Sequence, residues 1–252
     1  MNILGIIPAR YESTRFPGKP LARIGSKSMI QRVYEQAVQA LCDVIVATDD
    51  QRIIEEVSSF HGKAVMTSSS HRSGTDRCFE AMRNYEALSG KKIDAVINIQ
   101  GDEPFISPKS IALLANTIGK NNKNILTLIK NINSQEELHS TTIPKVITDI
   151  HGKAIYFSRF TIPFQRNLPA EHWLGAHPYF KHIGIYAYTA SMLETLTALE
   201  PSSLEKAESL EQLRWIENGF AIYTEITEEE SISVDTPDDL ERLLKEYAGS
   251  LP

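Results

Sequence analysis

The run Ile3-Leu4-Gly5-Ile6-Ile7-Pro8-Ala9-Arg10 decides the fold. Its first five residues carry no polar side chain. A strand with one wet face alternates, whereas a strand covered on both faces does not, so this run reads as a central strand of a parallel sheet. A proline and an arginine close it, and an irregular loop rich in Pro and Gly follows to about Ser26. Beyond the loop, Ile30, Val33, Tyr34, Ala37 and Leu41 recur at helical spacing. Val44–Ala47, Ala64–Met66 and Ile93–Ile99 read as further strands, separated by helical patterns around Ile53, Ile54 and Val57 and from Cys78 to Leu88. Strand and helix alternate, which predicts a parallel sheet with right-handed crossovers.

The middle of the chain reads differently. Leu126–Ile132, Lys145–Thr148, Ala154–Ser158 and His182–Tyr188 are strand-like, and Asp149-Ile150-His151-Gly152 has the composition of a hairpin turn. Gln165 to Phe180 is loop-like. We therefore expect a single domain over 1–252 with an inserted antiparallel section near 125–190, suited to dimerisation or to covering a substrate. The end returns to an α/β pattern. One amphipathic helix is expected from Leu204 to Ile216, terminated by Gly219. A strand follows at Ala221–Glu225 and a short one at Ile232–Val234. The last helix is capped by Thr236, with Pro237 in its first turn and Asp239 three residues after the cap.

Composition narrows the function. The 252 residues are 42% hydrophobic and 23% charged, an ordinary globular balance, with a formal net charge of −6. Such a surface disfavours nucleic acid. No apolar run reaches the ~18 residues of a membrane span. No basic residue precedes Ile3, so no signal peptide is expected and the protein reads as cytoplasmic. Cys42 and Cys78 lie among apolar residues and are expected to be buried, reduced thiols. Yet residues 1–27 hold Arg10, Arg15, Lys19, Arg23 and Lys27 against one acid, Glu12. That local excess in an acidic protein suggests a focused site for a small polyanion.

In open parallel sheets, ligands bind beyond the carboxyl ends of the strands. Pro8-Ala9-Arg10, Thr48-Asp49-Asp50, Ser68-Ser69-Ser70, Gln100-Gly101-Asp102 and Asp235 all fall there. Arg10, Arg15 and Lys19 suit a triphosphate: arginine grips phosphate oxygens through two parallel hydrogen bonds and lysine adds a mobile point charge. Neither G-x-x-x-x-G-K-[ST] nor G-x-G-x-x-G occurs, which argues against P-loop enzymes and dinucleotide oxidoreductases. Asp102 and Asp235 follow strands and form the best metal pair, because Mg²⁺ is commonly held by one or two carboxylates plus substrate phosphates. Asp49 is a weaker candidate that fits a turn equally well. Small Ser69, Ser70 and Gly74 let a nucleobase approach, Arg77 offers a phosphate contact, and Asp76 suits either the site or a helix cap. Gln100 both donates and accepts, as a ribose or sugar hydroxyl requires.

The loop through Arg15-Phe16-Pro17-Gly18-Lys19-Pro20-Leu21 resembles the signature of sugar nucleotidyltransferases, and in this form that of the 3-deoxy-manno-octulosonate cytidylyltransferases. Thr48–Asp50, Ser73–Arg77, Asn98–Pro104, Tyr156–Arg159, His182–Tyr186, Leu210–Arg214 and Val234–Leu240 agree in order along nearly the whole chain. The resemblance implies a Rossmann-like α/β fold, mostly parallel and flanked by helices. It also implies Mg²⁺ on Asp102 and Asp235, and CTP held by Pro8, Ala9, Arg10, Arg15, Lys19, Ser69, Ser70, Gly74, Arg77 and Gln100. The acidic sugar would be read by Gln100, Arg159, Arg166, His182, Tyr186, Glu211 and Gln212, with the two arginines on its carboxylate. His182 and Tyr186 also share a strand face that suits a core, and Glu211 suits a solvated helix face. The implied reaction is direct displacement at the α-phosphorus of CTP by the anomeric hydroxyl of 3-deoxy-manno-octulosonate, for lipopolysaccharide biosynthesis, in a homodimer. No His or Cys of the loop is placed as a covalent nucleophile. Competing readings are a cytidylyltransferase for another acidic sugar, such as an acylneuraminate, and a non-catalytic nucleotide-binding regulator.

Overall fold

The computed structural model describes residues 1–12 and 15–246; Ser13 and Thr14 of the quoted loop lie outside the described residues. These residues form two packed units, 1–115 with 230–246 and 116–229.

In the first unit the chain runs β1 (Ile3–Ala9), a short ribbon of β2 (Arg23–Ile24) and β3 (Lys27–Ser28), α1 (Met29–Ala40), β4 (Asp43–Thr48), α2 (Gln51–Ser59), β5 (Ala64–Met66), α3 (Gly74–Ser89), β6 (Ala95–Asn98) and the start of α4 (Pro108–Thr117). The strands pair in parallel in the order β6-β1-β4-β5, with Ile6 opposite Ile45 and Asn98. Leu4, Ile6 and Ile7 are fully buried, as expected for the unbroken apolar run. Ser28, Asp50 and Ser73 supply the side-chain caps of α1, α2 and α3.

The second unit contains β7 (Ile125–Asn131), α5 (Gln135–His139), β8 (Lys145–Thr148), β9 (Ala154–Ser158), α6 (Trp173–Ala176), β10 (Phe180–Thr189), α7 (Ala190–Thr197), α8 (Ser203–Glu208), α9 (Gln212–Glu217) and β11 (Tyr223–Ile226). β10 is antiparallel to β7 and β8, β8 to β9, and β11 lies parallel to β7. The expected β8–β9 turn closes through Asp149 N to Lys153 O at 2.8 Å, with Gly152 at φ +75°. The chain then returns to the first unit as α10 (Pro237–Glu246).

Four expectations are corrected. The helix expected from Leu204 to Ile216 breaks in two at Ser209, which adopts φ +51°. Ile232–Val234 is not a strand; Val234 is instead fully buried with Ile24, Met29 and Leu243, a burial that contributes roughly 1.5–3 kcal/mol. Cys42 is exposed between α1 and β4, whereas Cys78 is buried. Asp76 does not cap α3: the Ser73 hydroxyl accepts from Asp76 N at 3.1 Å. The α10 cap is as expected, with Thr236 Oγ1 accepting from Asp239 N and the Asp239 carboxylate accepting from Thr236 N.

Candidate active site

The loop after β1 folds back on itself, with Gly18 N donating to Tyr11 O at 2.8 Å. Gly18 takes φ +73° there, a conformation that favours glycine, with Tyr11 ring atoms 3.3 Å from where a Cβ would stand. The Arg52 guanidinium lies 3.3 Å above the Tyr11 ring and donates to both oxygens of Asp50, so α2 braces the loop from one side. A short 3₁₀ turn over Lys19–Leu21 then aims Lys19 inward.

Two carboxylates meet Lys19. Its Nζ lies 2.7 Å from Asp102 Oδ2 and 3.4 Å from Asp235 Oδ1, so residues far apart in sequence stand within two hydrogen-bond lengths of each other. Arg15 adds a second cation, 2.9 Å from Asp235. The backbone enforces this meeting: Val234 N donates to Asp102 O at 2.9 Å, fixing the 234–235 segment to the loop after β6. That loop in turn presses on the end of β1, since a Cβ on Gly101 would lie 2.8 Å from Pro8 O. Neighbouring Glu103 is 6% exposed. Burial, with the charge of Asp102 adding, raises its pKa to about 7 against the hydrogen bond it accepts from Ser231.

These groups surround a polar cavity of about 410 Å³. Of the residues singled out in the sequence, Pro8, Ala9, Arg10, Arg15, Lys19, Gln100, Asp102 and Asp235 line it. Gly101, part of the Gln100–Asp102 cluster, lines it too, as do Glu12 and Pro20, which were not singled out as site residues. Arg10 is exposed and forms no ion pair among the described residues.

Other expected nucleotide residues lie elsewhere in the same unit. Ser69 and Ser70 are exposed in the loop after β5. Gly74 stands beside the end of β1, its Cβ position 3.4 Å from Pro8 Cγ. Arg77 departs from its expected role. Its side chain is 1% exposed and donates to Thr67 Oγ1 at 2.6 Å and to Asp49 at 2.8 Å, so it ties two loops together instead of reaching for phosphate. Asp49 is thereby committed to an ion pair with Arg77.

Within the second unit, His182 and Tyr186 lie side by side with ring centroids 5.2 Å apart. His182 Nε2 is 2.9 Å from Thr127 Oγ1, and burial lowers its pKa to about 3, keeping the ring neutral. Burial, with nearby Glu211, holds the Tyr186 phenol far above its usual range. Trp215, not singled out in the sequence, stands edge-on to Tyr186 at 5.2 Å and to Tyr188 at 5.6 Å. Among the described residues the buried Gln212 Nε2 and Trp215 Nε1 lack hydrogen-bond partners. Buried polar atoms left in that state cost roughly 1–3 kcal/mol each, which suits a surface completed by ligand hydroxyls or water. Arg166 is exposed. Arg159 is not free: it donates to Glu208 O at 2.8 Å and Ser209 O at 3.2 Å, while its own N–H donates to the Glu208 carboxylate. These bonds hold the break between α8 and α9 and correct the expectation of an arginine poised for a sugar carboxylate.

Residues 4–231 match the profile of the family described as Cytidylyltransferase. The chain belongs to the cytidylyltransferase family. Among relatives of this family, a 3-deoxy-manno-octulosonate cytidylyltransferase of Parabacteroides distasonis is 51% identical over 97% of both chains. The protein of that name from Bacteroides thetaiotaomicron is 52% identical over 95% of this chain and 96% of its own. A solved structure of CMP:2-keto-3-deoxy-manno-octonic acid synthetase complexed with CTP superposes with a TM-score of 0.88, at 39% identity over the full length of both chains. This likeness agrees with the α/β class, mostly parallel, that the first strand predicts.

Proposed function

We propose that this protein transfers CMP from CTP to the anomeric hydroxyl of 3-deoxy-D-manno-octulosonate, releasing pyrophosphate. The observation that carries the reading is the meeting of Asp102 and Asp235 on one ammonium inside a polar cavity that Arg10 and Arg15 also line. The sequence match to relatives of that name, across nearly their whole length, supports the choice of substrates.

In the proposed reaction the triphosphate enters the cavity of the first unit, where Arg10, Arg15 and Lys19 grip it. The sugar hydroxyl attacks the α-phosphorus in line and pyrophosphate departs, held by the same cations. Such catalysis rests on positioning and on charge stabilisation. Arg166, His182, Tyr186, Glu211 and Gln212 are the residues proposed to read the sugar. A neutral His182 and a neutral Tyr186 suit hydroxyl recognition, since each both donates and accepts.

Asp102 and Asp235 would hold Mg²⁺. Lys19 and Arg15 are both committed to these carboxylates. A triphosphate that recruits the two cations leaves the aspartates facing phosphate charge. A divalent ion bound there supplies the missing neutralisation and polarises phosphate oxygens. Two carboxylates and an open polar cavity fit an ion that keeps several waters.

Use of CTP supports a cytoplasmic location, and among the described residues no helix is long and apolar enough to cross a membrane. Phe160 and Phe164, each 69% exposed in the second unit, support a homodimer, which light scattering would test. The deciding assay is pyrophosphate release across CTP, UTP, ATP and GTP, with 3-deoxy-manno-octulosonate or an acylneuraminate as acceptor, with and without magnesium. Activity restricted to CTP, the octulosonate and magnesium is expected. Preference for the acylneuraminate, or no turnover, rejects the reading.

A further inference from the structure

Helix α3 turns a charged face toward the loops that end β4 and β5. Arg77 and Glu80, three residues apart, share that face. Arg77 reaches Thr67 and Asp49. The Glu80 carboxylate accepts from Ser68 N at 2.9 Å and makes a closer contact with His71 Nε2. Inside the loop, Ser68 Oγ lies 2.8 Å from Ser70 Oγ and accepts from Ser70 N at 3.1 Å. Thr67 is anchored in turn to Thr48 O through its N–H and its hydroxyl. Residues 67–71 are thus pinned at both ends to one helix, while the Ser69 and Ser70 side chains between the pins stay exposed.

We propose that Glu80, acting through Ser68 and His71, is a positioning residue that pre-orders the loop presenting Ser69 and Ser70 to the nucleobase of CTP. The inference rests on the proposed use of CTP and on the family resemblance, which implies that those serines meet the nucleotide. Its physical basis is the cost of ordering. Fixing a loop residue costs backbone entropy, and a loop ordered in advance spares the ligand that cost. Glu80 touches neither substrate nor reacting atoms, so its loss falls on nucleotide affinity and leaves the chemical step intact.

The test compares Glu80→Ala, Glu80→Gln and His71→Ala with the wild type. Steady-state kinetics are measured for each substrate, CTP binding by calorimetry, and Tm by thermal unfolding. Glu80→Ala is expected to raise KM and Kd for CTP about tenfold or more, with kcat and the sugar KM within about twofold. Ser68 N and His71 Nε2 both meet Glu80 Oε2, and Glu80→Gln keeps an oxygen there that can accept from both, so it is expected to return the CTP KM to within about threefold of wild type. His71→Ala severs only the His71 end of the tether and is expected to give an intermediate rise. It carries the test if Glu80→Ala does not fold. Unchanged CTP affinity in the folded variants overturns the inference. So does a parallel fall in kcat and in the handling of both substrates that tracks a lower Tm, because that is the mark of general destabilisation. A wild type that binds no CTP overturns the proposed function itself, and this inference with it.

Discussion

Replacing Arg77 with methionine separates two incompatible roles for this residue. The sequence places Arg77 among the phosphate-binding groups, whereas the structure buries its guanidinium against Asp49 and Thr67. Methionine keeps much of the volume and removes every donor. Breaking a buried ion pair by removing one partner costs about 3–5 kcal/mol. The Asp49 side chain is still 15% exposed, and Thr67 Oγ1 keeps its bond to Thr48 O, so the cost falls at the lower end, about 3 kcal/mol. At ~2–4 °C per kcal/mol for a chain of this size, Tm drops by roughly 6–12 °C. Removing the orphaned acid as well, in Arg77→Met with Asp49→Asn, returns a substantial part of that loss, because an amide tolerates the vacated site better than an unpaired carboxylate. Thermal unfolding of the two single variants and the double variant, without ligand, measures the coupling directly. A Tm for Arg77→Met within about a degree of wild type would refute the reasoning: a guanidinium in solution would then be contributing nothing to the fold and would be free to meet phosphate.

Other outcomes follow from the same geometry. Asp102→Ala and Asp235→Ala are each expected to lower turnover at least about 100-fold at saturating magnesium, the scale lost when a preorganised charge contact at the reacting phosphate is removed; near-wild-type pyrophosphate release from both would defeat the metal assignment. Gly101→Ala drives a Cβ to within 2.8 Å of the Pro8 carbonyl, so the loops after β1 and β6 must separate, and CTP affinity is expected to fall about tenfold or more; titration calorimetry reads this, and unchanged affinity contradicts the close approach. His182 is held neutral in the folded state with a pKa of about 3, against 6.5 when unfolded. The unfolded chain therefore takes up the proton first as pH falls, and stability is lost between those two values at up to about 1.4 kcal/mol per pH unit. Denaturant titrations of wild type and His182→Gln across pH 4–7 check the sign: the glutamine variant is expected to show the shallower decline.

Much of the first unit was legible because its signals are local or periodic. An apolar run without alternation identified β1, helical spacing identified α1 and α3, the carboxyl-end rule gathered Arg10, Gln100, Asp102 and Asp235, and the local excess of cations picked out Lys19. Thr236, Pro237 and Asp239 marked the start of α10 through cap chemistry that depends on neighbours in sequence. Ile232–Val234 misled for an equally physical reason. Three residues of alternating pattern satisfy a strand template, but here they supply one buried valine to a cluster formed with Ile24, Met29 and Leu243, and one backbone bond to Asp102.

What the sequence conceals is how each charge is used. An arginine offers the same five donors whether it meets a ligand, a carboxylate or the end of a helix. Arg77 and Arg159 both looked like anion receptors, and both are committed to the fold, one to Asp49 and Thr67, the other to the carbonyls where α8 ends. The Arg159 bonds explain the break in the expected helix as well. Its amphipathic spacing continues through Ser209, so periodicity alone predicts one element, but the Arg159 donors take up carbonyls that would otherwise accept from the next turn. Charge left over after such commitments is the better guide to function. By that criterion Arg10 and Arg166, both exposed and without an ion pair among the described residues, are the candidate site cations freest to meet an anion. Lys19 and Arg15, by contrast, already pair with Asp102 and Asp235, so a triphosphate that meets them must share their donors with two carboxylates.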